Sequence, residues 1–416
     1  MTTLPTSVNF AEPIPSLPDG TKTIEIVSRP SNGATFTPSS VIQCDLVKRG
    51  FIIPDSFYFR YKCAVTATNT PEMIGTPVYT PFIRLETFIG ANVVDSINQW
   101  NQTANLLVNT TMDVAGKYGL QYAMGYAPSN TTIQSLDGRV LSASGETFYL
   151  SAPIPCMLSA CEKLIPAFAM PQMRLQFTMD SLANMFSVQP TSGSLIITNF
   201  EVCYSVIDFG PQVEEMVRNM GTFYLKSQSF FNTGYNLASG ISGSVTIPFN
   251  QHFQSIKSLF ANFSGTSSNS YNKWGDSYDI TSSSGDYSFS IGGENYPQSP
   301  LSAVLNKAGI LQELRRAVGS IYGATNSLSV NSVEFLRQGN DATTTNEPAK
   351  FYLAANTEKL HSNSLLTGVS SCGTAILLNI NVGSTATLQS YNVNLIINYD
   401  ALLQIDPINQ QVNVVK

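Results

Sequence analysis

The chain has 416 residues, 43% of them hydrophobic and only 12% charged, with a net charge of −6. That length can fill two cores of ordinary domain size. The acidic balance, with no basic run denser than Lys48-Arg49 or Arg315-Arg316, excludes packaging or tracking of nucleic acid, which requires many phosphates to be neutralised.

Residues 1–20 form an arm whose Pro5, Pro13, Pro15 and Pro18 deny it a central strand or a helix. Met1 to Asp19 contains no Lys or Arg, so a secretory leader is not expected there. No stretch reaches 18 consecutive apolar residues, so no membrane-spanning helix is expected either. Strands are predicted near 23–26, 41–46, 56–65 and 82–88. In the third of these, Phe57, Phe59, Tyr61, Cys63 and Val65 alternate with polar or small neighbours. A helix is predicted next, capped by Asp95, with Ile97, Trp100, Ala104 and Leu107 at helical spacing. Strands near 133–141 and 147–150 precede a short helix over 159–164, stopped by Pro166. Two strongly alternating strands follow, one through Met173, Leu175, Phe177 and Met179, the other through Phe200, Val202, Tyr204 and Val206.

The segment Gly210 to Gly221 is helical in pattern and reads as a linker. A second series then begins at 222–230, 244–249 and 255–263. The Ser-, Gly-, Asn- and Tyr-rich stretch 264–293 has the composition of a long exposed loop or hairpin. A helix is predicted over 309–322, and strands over 329–336, 350–354, 374–382 and 389–399. Period-two patterning puts alternate side chains on one face of a sheet. Sheets with one apolar face must pack on another sheet or close on themselves. The chain therefore reads as two β-sandwiches in tandem: an arm (1–20), a first sandwich (21–209), a linker helix (210–221), a second sandwich (222–407) and a tail (408–416).

Little in the sequence can perform chemistry. The only histidines are His252 and His361, both in loop-like surroundings. Cys156 and Cys161 lack zinc spacing and a second pair. The six cysteines, with Cys44, Cys63, Cys203 and Cys372 among them, read as free thiols, so the sequons at Asn101, Asn109, Asn130 and Asn262 carry no weight. There is no phosphate-cradling glycine loop and no nucleophile elbow. Carboxylate pairs such as Asp276 with Asp279, or Glu214 with Glu215, occur by chance in most chains. Tyr271, Trp274, Tyr278, Tyr287 and Tyr296 could stack a sugar or meet a receptor, but local packing is the simpler reading. No catalytic, cofactor-binding or metal-ligating residue is assigned, and no cofactor is expected. A surface with few charges suits burial against other protein.

Five segments, in order, resemble the double jelly-roll major capsid proteins of the adenovirus–polinton–virophage assemblage. The first is Phe82-Ile83-Arg84-Leu85-Glu86-Thr87-Phe88-Ile89-Gly90, running on through Asp95 and Trp100 to Leu106-Leu107. The second runs from Ala152-Pro153-Ile154-Pro155 to Glu162-Lys163-Leu164-Ile165-Pro166, although Met157-Leu158-Ser159-Ala160-Cys161 stands where the family has glycine. The third is Ile196-Ile197-Thr198-Asn199-Phe200-Glu201-Val202. The fourth is Tyr296-Pro297-Gln298-Ser299-Pro300 before a helix, and the last is Asn398-Tyr399-Asp400 through Asp406, with Val412.

The resemblance implies an all-β fold of two tandem eight-stranded jelly-roll β-sandwiches with short inserted helices, here without large outward towers. It also implies a non-enzymatic structural protein of the virion. Homotrimers would form pseudo-hexameric capsomers that tile an icosahedral capsid, meeting neighbouring capsomers, penton and minor capsid proteins. Nucleic acid would not be bound sequence-specifically, and membrane contact would be at most indirect. The arm and tail would be natural clamps to neighbours. Three other readings stay open: a secreted or surface β-sandwich adhesin or lectin, a glycan-active enzyme with an accessory sandwich, and a single-roll shell protein with a protruding domain.

Overall fold

Alternating strands commit a chain to layers, and the order in which they pair decides which fold results. The computed structural model describes residues 17, 20–112, 114–126, 139–142, 144–238, 240, 243–265, 274–275, 277, 285–302, 306–318, 335, 350–359, 366–381 and 391–416. The first half supplies β1 (Lys22–Ser28), β2 (Val41–Asp45), β3 (Tyr58–Thr66), β4 (Phe82–Ile89), β5 (Asn92–Asn98), β6 (Glu146–Pro153), β7 (Met173–Met179) and β8 (Ser194–Asp208). They pair antiparallel in two sheets, β1-β8-β3-β6 and β2-β7-β4-β5. Short strands at Thr35–Phe36, Phe51–Ile52 and Ile165–Pro166 extend the first sheet.

The second half repeats this plan with β9 (Phe223–Leu237), β10 (Ser244–Phe249), β11 (Ile256–Gly265), β12 (Asp286–Ile291), β13 (Glu294–Ser302), β14 (Leu353–Asn356), β15 (Ile376–Asn381) and β16 (Tyr391–Asp406). Its sheets run β9-β16-β11-β14 and β10-β15-β12-β13. Counted from one to eight within each half, both halves read 1-8-3-6 and 2-7-4-5. Each half is therefore an eight-stranded jelly roll.

Period-two residues fill each sandwich. In the first roll, Phe59 on β3 lies 5.7 Å from Phe82, 5.9 Å from Phe177 and 6.0 Å from Phe200, ring centre to ring centre. Trp100 begins helix α1 (Trp100–Thr111) and is fully buried, its indole N–H donating to Pro155 O at 2.8 Å. In the second roll Phe263, Tyr287, Phe289, Leu378, Leu395 and Ile397 are buried in the same way. The rolls are joined by α2 (Pro211–Arg218), with Gly210 at φ 89° before it and Gly221 at φ 72° after it. Both are left-handed conformations that glycine adopts without a steric cost.

Several local expectations change. Asp95 does not cap a helix; it lies within β5, and α1 begins five residues later after Gln99, which has φ 49° and makes no side-chain cap. Residues 159–164 form turns rather than a helix, with a single helical-type bond from Ala160 N–H to Cys156 O at 3.2 Å. The stretch read as a long exposed loop or hairpin over 264–293 contains β12, which forms a hairpin with β13 but is not exposed, since its Tyr287, Phe289 and Ile291 are buried. Its neighbour β13 carries Pro297 and Pro300, which is tolerable because β13 ends its sheet. β9 and β16 run to 15 and 16 residues, well past the predicted segments. The strand expected over 329–336 and most of that over 133–141 lie outside the described residues. The tail forms β17 (Gln411–Val415), paired antiparallel with Leu402–Asp406 of its own chain.

The aromatic cluster makes the first roll sensitive to truncation at its centre. Phe59→Ala should lower stability by about 3–5 kcal/mol, the usual cost of removing a buried phenyl ring. Urea unfolding followed by tryptophan fluorescence would measure it, and a loss below about 1 kcal/mol would show that this cluster does not hold the roll.

Candidate functional site

Among the described residues no enzyme-like cleft with converging reactive groups stands out, and the most heavily built polar feature is the seam between the rolls. β5, the start of α1 and the turn after Cys156 lie against β9 and β16 of the second roll. Both faces of β5 are therefore covered, one by its own core and one by the other roll. Many of the polar side-chain groups that meet there find partners, as burial favours, while Gln99 Oε1, Asn232 Oδ1 and Asn394 Oδ1 accept no hydrogen bond. Asn232 Nδ2 donates to Asn98 O at 2.8 Å, Gln99 O at 3.0 Å and Thr103 Oγ1 at 2.6 Å. Asn394 Nδ2 donates to Gln102 Oε1 at 2.9 Å, and Asn109 Nδ2 to the Tyr352 hydroxyl at 3.2 Å. Glu162 N–H donates to Lys226 O at 3.1 Å, and the Lys226 ammonium lies 3.3 Å from the Glu162 carboxylate.

Asp95 is the centre of this seam. Its carboxyl is fully buried, with the Ser229 hydroxyl 2.8 Å from both oxygens. Tyr399 O–H donates to it at 3.3 Å and Met157 N–H at 3.3 Å. Burial raises its pKa above the usual carboxylate range, opposed by Ser229, the charge of Lys416, the Met157 amide and Tyr399.

Among the described residues, those weighed for chemistry do not come together. His252 Nδ1 sits 3.0 Å from Ser371 O, a packing contact. His361, Asp276, Asp279, Tyr271 and Tyr278 lie outside the described residues. Glu214 and Glu215 ride on α2. Tyr287 is core, and Tyr296 donates to Glu294 at 2.8 Å. Trp274 donates to Asn184 O at 2.8 Å beside a cleft of about 380 Å³ between the rolls. All six cysteines are free thiols. Burial pushes Cys44, Cys63 and Cys161 up to about 12 and Cys156 to about 11, far from the thiolate a nucleophile requires. Asn101, Asn109 and Asn262 are buried, which leaves no room for a glycan on any of these three sequons. Among the described residues no three His, Cys, Asp or Glu side chains group as a metal site would require.

Three solved structures align with nearly the whole chain. The PBCV-1 virus capsid structure matches at TM-score 0.64 and 11% identity, over 98% of this chain and 99% of that one. The Faustovirus major capsid protein matches at 0.65 and 9%, over 98% and 93%. The mavirus major capsid protein matches at 0.53 and 8%, over 100% and 95%. The chain has the double jelly-roll fold. No family model and no curated protein sequence matches it.

Within this double jelly roll, two surfaces are the counterparts of the seam, and among the described residues neither is covered by the other roll. One is the outer face of β1-β8-β3-β6, equivalent to the face of β9-β16-β11-β14 on which α1 rests. It carries a groove of about 860 Å³ with Arg29, Arg60, Glu201, Tyr122 and Tyr149 on its walls. Glu201 bridges the two arginines at 3.0 and 2.7 Å, and Tyr149 is 66% exposed. The other is β13 with helix α3 (Lys307–Val318), equivalent to β5 with α1. Most of β13 is exposed or half-buried, and α3 buries only Ile310 and Leu314. Sequence reasoning found neither surface, because nothing in a linear pattern says which outer face is covered.

The raised Asp95 pKa has a signed consequence. Folding holds a proton that the unfolded chain releases above about pH 4, so the Asp95 contribution is greatest in acid and falls as pH rises towards the folded pKa. Asp95→Asn removes this titration while keeping the shape. The melting temperature of the wild type relative to Asp95→Asn should therefore fall from pH 4 to pH 8; parallel curves would show that Asp95 does not titrate differently on folding.

Proposed function

We propose that this protein is a non-enzymatic major capsid protein that trimerises into pseudo-hexameric capsomers tiling an icosahedral virion shell. The observation that carries the reading is the repeated seam. Inside one chain, the β5–α1 side of roll one covers the outer sheet face of roll two. The matching pair, the β13–α3 side of roll two and the outer face of roll one, has no such cover among the described residues. Joining them between chains makes a head-to-tail contact, which closes into a ring when the rotation per step divides a full turn. Two rolls per chain and six steps per ring give three chains. The likeness in fold to capsid proteins of PBCV-1, Faustovirus and mavirus over nearly the whole length supports the same reading. So does the scarcity of charge, since interface cores are depleted in it.

The units that would act as building blocks are the arm (1–20), the rolls (21–209 and 222–407), the linker between them and the tail. Penton and minor capsid proteins are the further partners of this reading. Nucleic acid is left to other components, in line with the net charge of −6.

Light scattering on the purified chain should give three times 45.1 kDa. Tyr149→Asp adds a charge to an exposed position on the uncovered face, and should yield monomers with an unchanged melting temperature. A wild type that stays monomeric would favour the surface adhesin. A Tyr149→Asp trimer would place the contact elsewhere.

A further inference from the structure

We propose that Lys226 and Asp400 of the second roll join in an amide bond between their side chains, with Glu162 of the first roll as the proton carrier. The three meet at one place. Lys226 Nζ lies 3.3 Å from Glu162 Oε1 and 3.7 Å from Asp400 Oδ1. The strand register produces this meeting: β9 and β16 pair with Lys226 opposite Leu402 and Gln228 opposite Asp400. Lys226 and Asp400 are therefore diagonal neighbours on one face of the sheet, within reach of a long side chain. Glu162 is held at β9 by its own backbone, whose N–H donates to Lys226 O at 3.1 Å. Lys257, on β11, is turned instead to Glu358 Oε1 at 3.5 Å and Gln228 Oε1 at 3.5 Å.

Burial and hydrogen bonding make the Asp400 carboxyl asymmetric. Its side chain is fully buried, and that of Lys226 is only 11% exposed. Oδ2 accepts from the Ser255 hydroxyl at 2.6 Å and the Thr367 N–H at 3.2 Å, whereas Oδ1 accepts no hydrogen bond. An ion pair built for stability alone closes to about 2.7–2.9 Å. Here two donors fix one oxygen and the other is left to the amine, which is the geometry of acyl substitution. Glu162 takes a proton from the Lys226 ammonium and passes it to Asp400 Oδ1. The Nζ lone pair then bonds to Cγ, and the C=O electron pair moves onto Oδ2, where Ser255 and Thr367 steady the negative charge. Nitrogen gives up a second proton, again through Glu162, to Oδ1, and the Cγ–Oδ1 bond breaks with its electron pair to release water. The Cγ=Oδ2 double bond reforms, and one hydrogen stays on the amide nitrogen. Nothing is oxidised or reduced, and no co-reactant is consumed. Two charges become none, a change that burial favours because the charged reactants have lost most of their solvent. Glu162, 31% exposed, gives the water a way out. Because Glu162 comes from the first roll, the bond closes only once the rolls have docked. It then ties β9 to β16 and closes most of the second roll into a loop, which restricts the unfolded chain.

Intact-mass spectrometry of the full chain, purified folded and then denatured, tests this. The expected mass is that of the sequence less one water, and digestion should yield a branched peptide joining Lys226 to Asp400. Lys226→Arg keeps the positive charge but removes the attacking amine, and should carry its full sequence mass. Glu162→Gln, measured on its folded fraction, should carry its full sequence mass as well. A wild-type chain of full sequence mass would overturn the proposal. So would water loss that persists in Lys226→Arg, water loss mapped to other residues, or a folded Glu162→Gln chain that links as the wild type does. The wild-type mass decides the matter even where a variant fails to fold. The bond lies within one chain, so a monomer carries it as a trimer does, and the capsid reading stands or falls separately.

Discussion

The structure depends on covering β5 and α1 on both sides. One side belongs to the core of the first roll, where Ile97 and Trp100 are fully buried. The other meets the second roll through Asp95, Gln102, Asn105 and Asn109, which are too polar to be buried without partners. From the second roll, the Ser229 and Tyr399 hydroxyls reach Asp95, the Asn394 amide reaches Gln102, the Gly275 carbonyl reaches Asn105 and the Tyr352 hydroxyl reaches Asn109. Neither roll offers a finished surface by itself, so the two are held as one body by hydrogen bonds as well as by apolar contact.

The same constraint accounts for the composition. A face that will be buried against another protein can carry Ser, Thr, Asn and Gln, because their neutral dipoles are satisfied by one or two hydrogen bonds. It cannot carry many Lys or Glu, whose desolvation is far more costly. A content of 12% charged residues fits a chain with such a seam inside it. The one carboxyl placed at the centre of the seam is ringed by donors, and its proton affinity is raised by the burial.

Identical strand orders in the two rolls turn a duplication into a directional molecule. Among the described residues, the first roll keeps a sheet face, and the second a strand and helix, that the other roll does not cover. A head-to-tail contact of this kind needs no new surface chemistry at each step, only the repetition of a geometry already present inside the chain.

The strands with the cleanest alternation, β3, β7, β8 and β16, were legible in the sequence because each buries one face only. The number of sandwiches, the linker between glycines and the second inserted helix were legible for similarly local reasons. Where reading failed, a second surface had intervened. β5 looked like a capped helix because Asp95, a polar residue by pattern, is buried by the other roll. β12 was read only as part of a long exposed loop or hairpin, because its serines fill positions that pairing with β13 and β15 holds in place. What the sequence by itself determined was a chain of half-buried strands, low in charge and sparse in histidine. Which face of each roll is covered, and by what, was decided only in three dimensions, because an outward-pointing Ser or Asn has the same pattern whether it meets water or another roll.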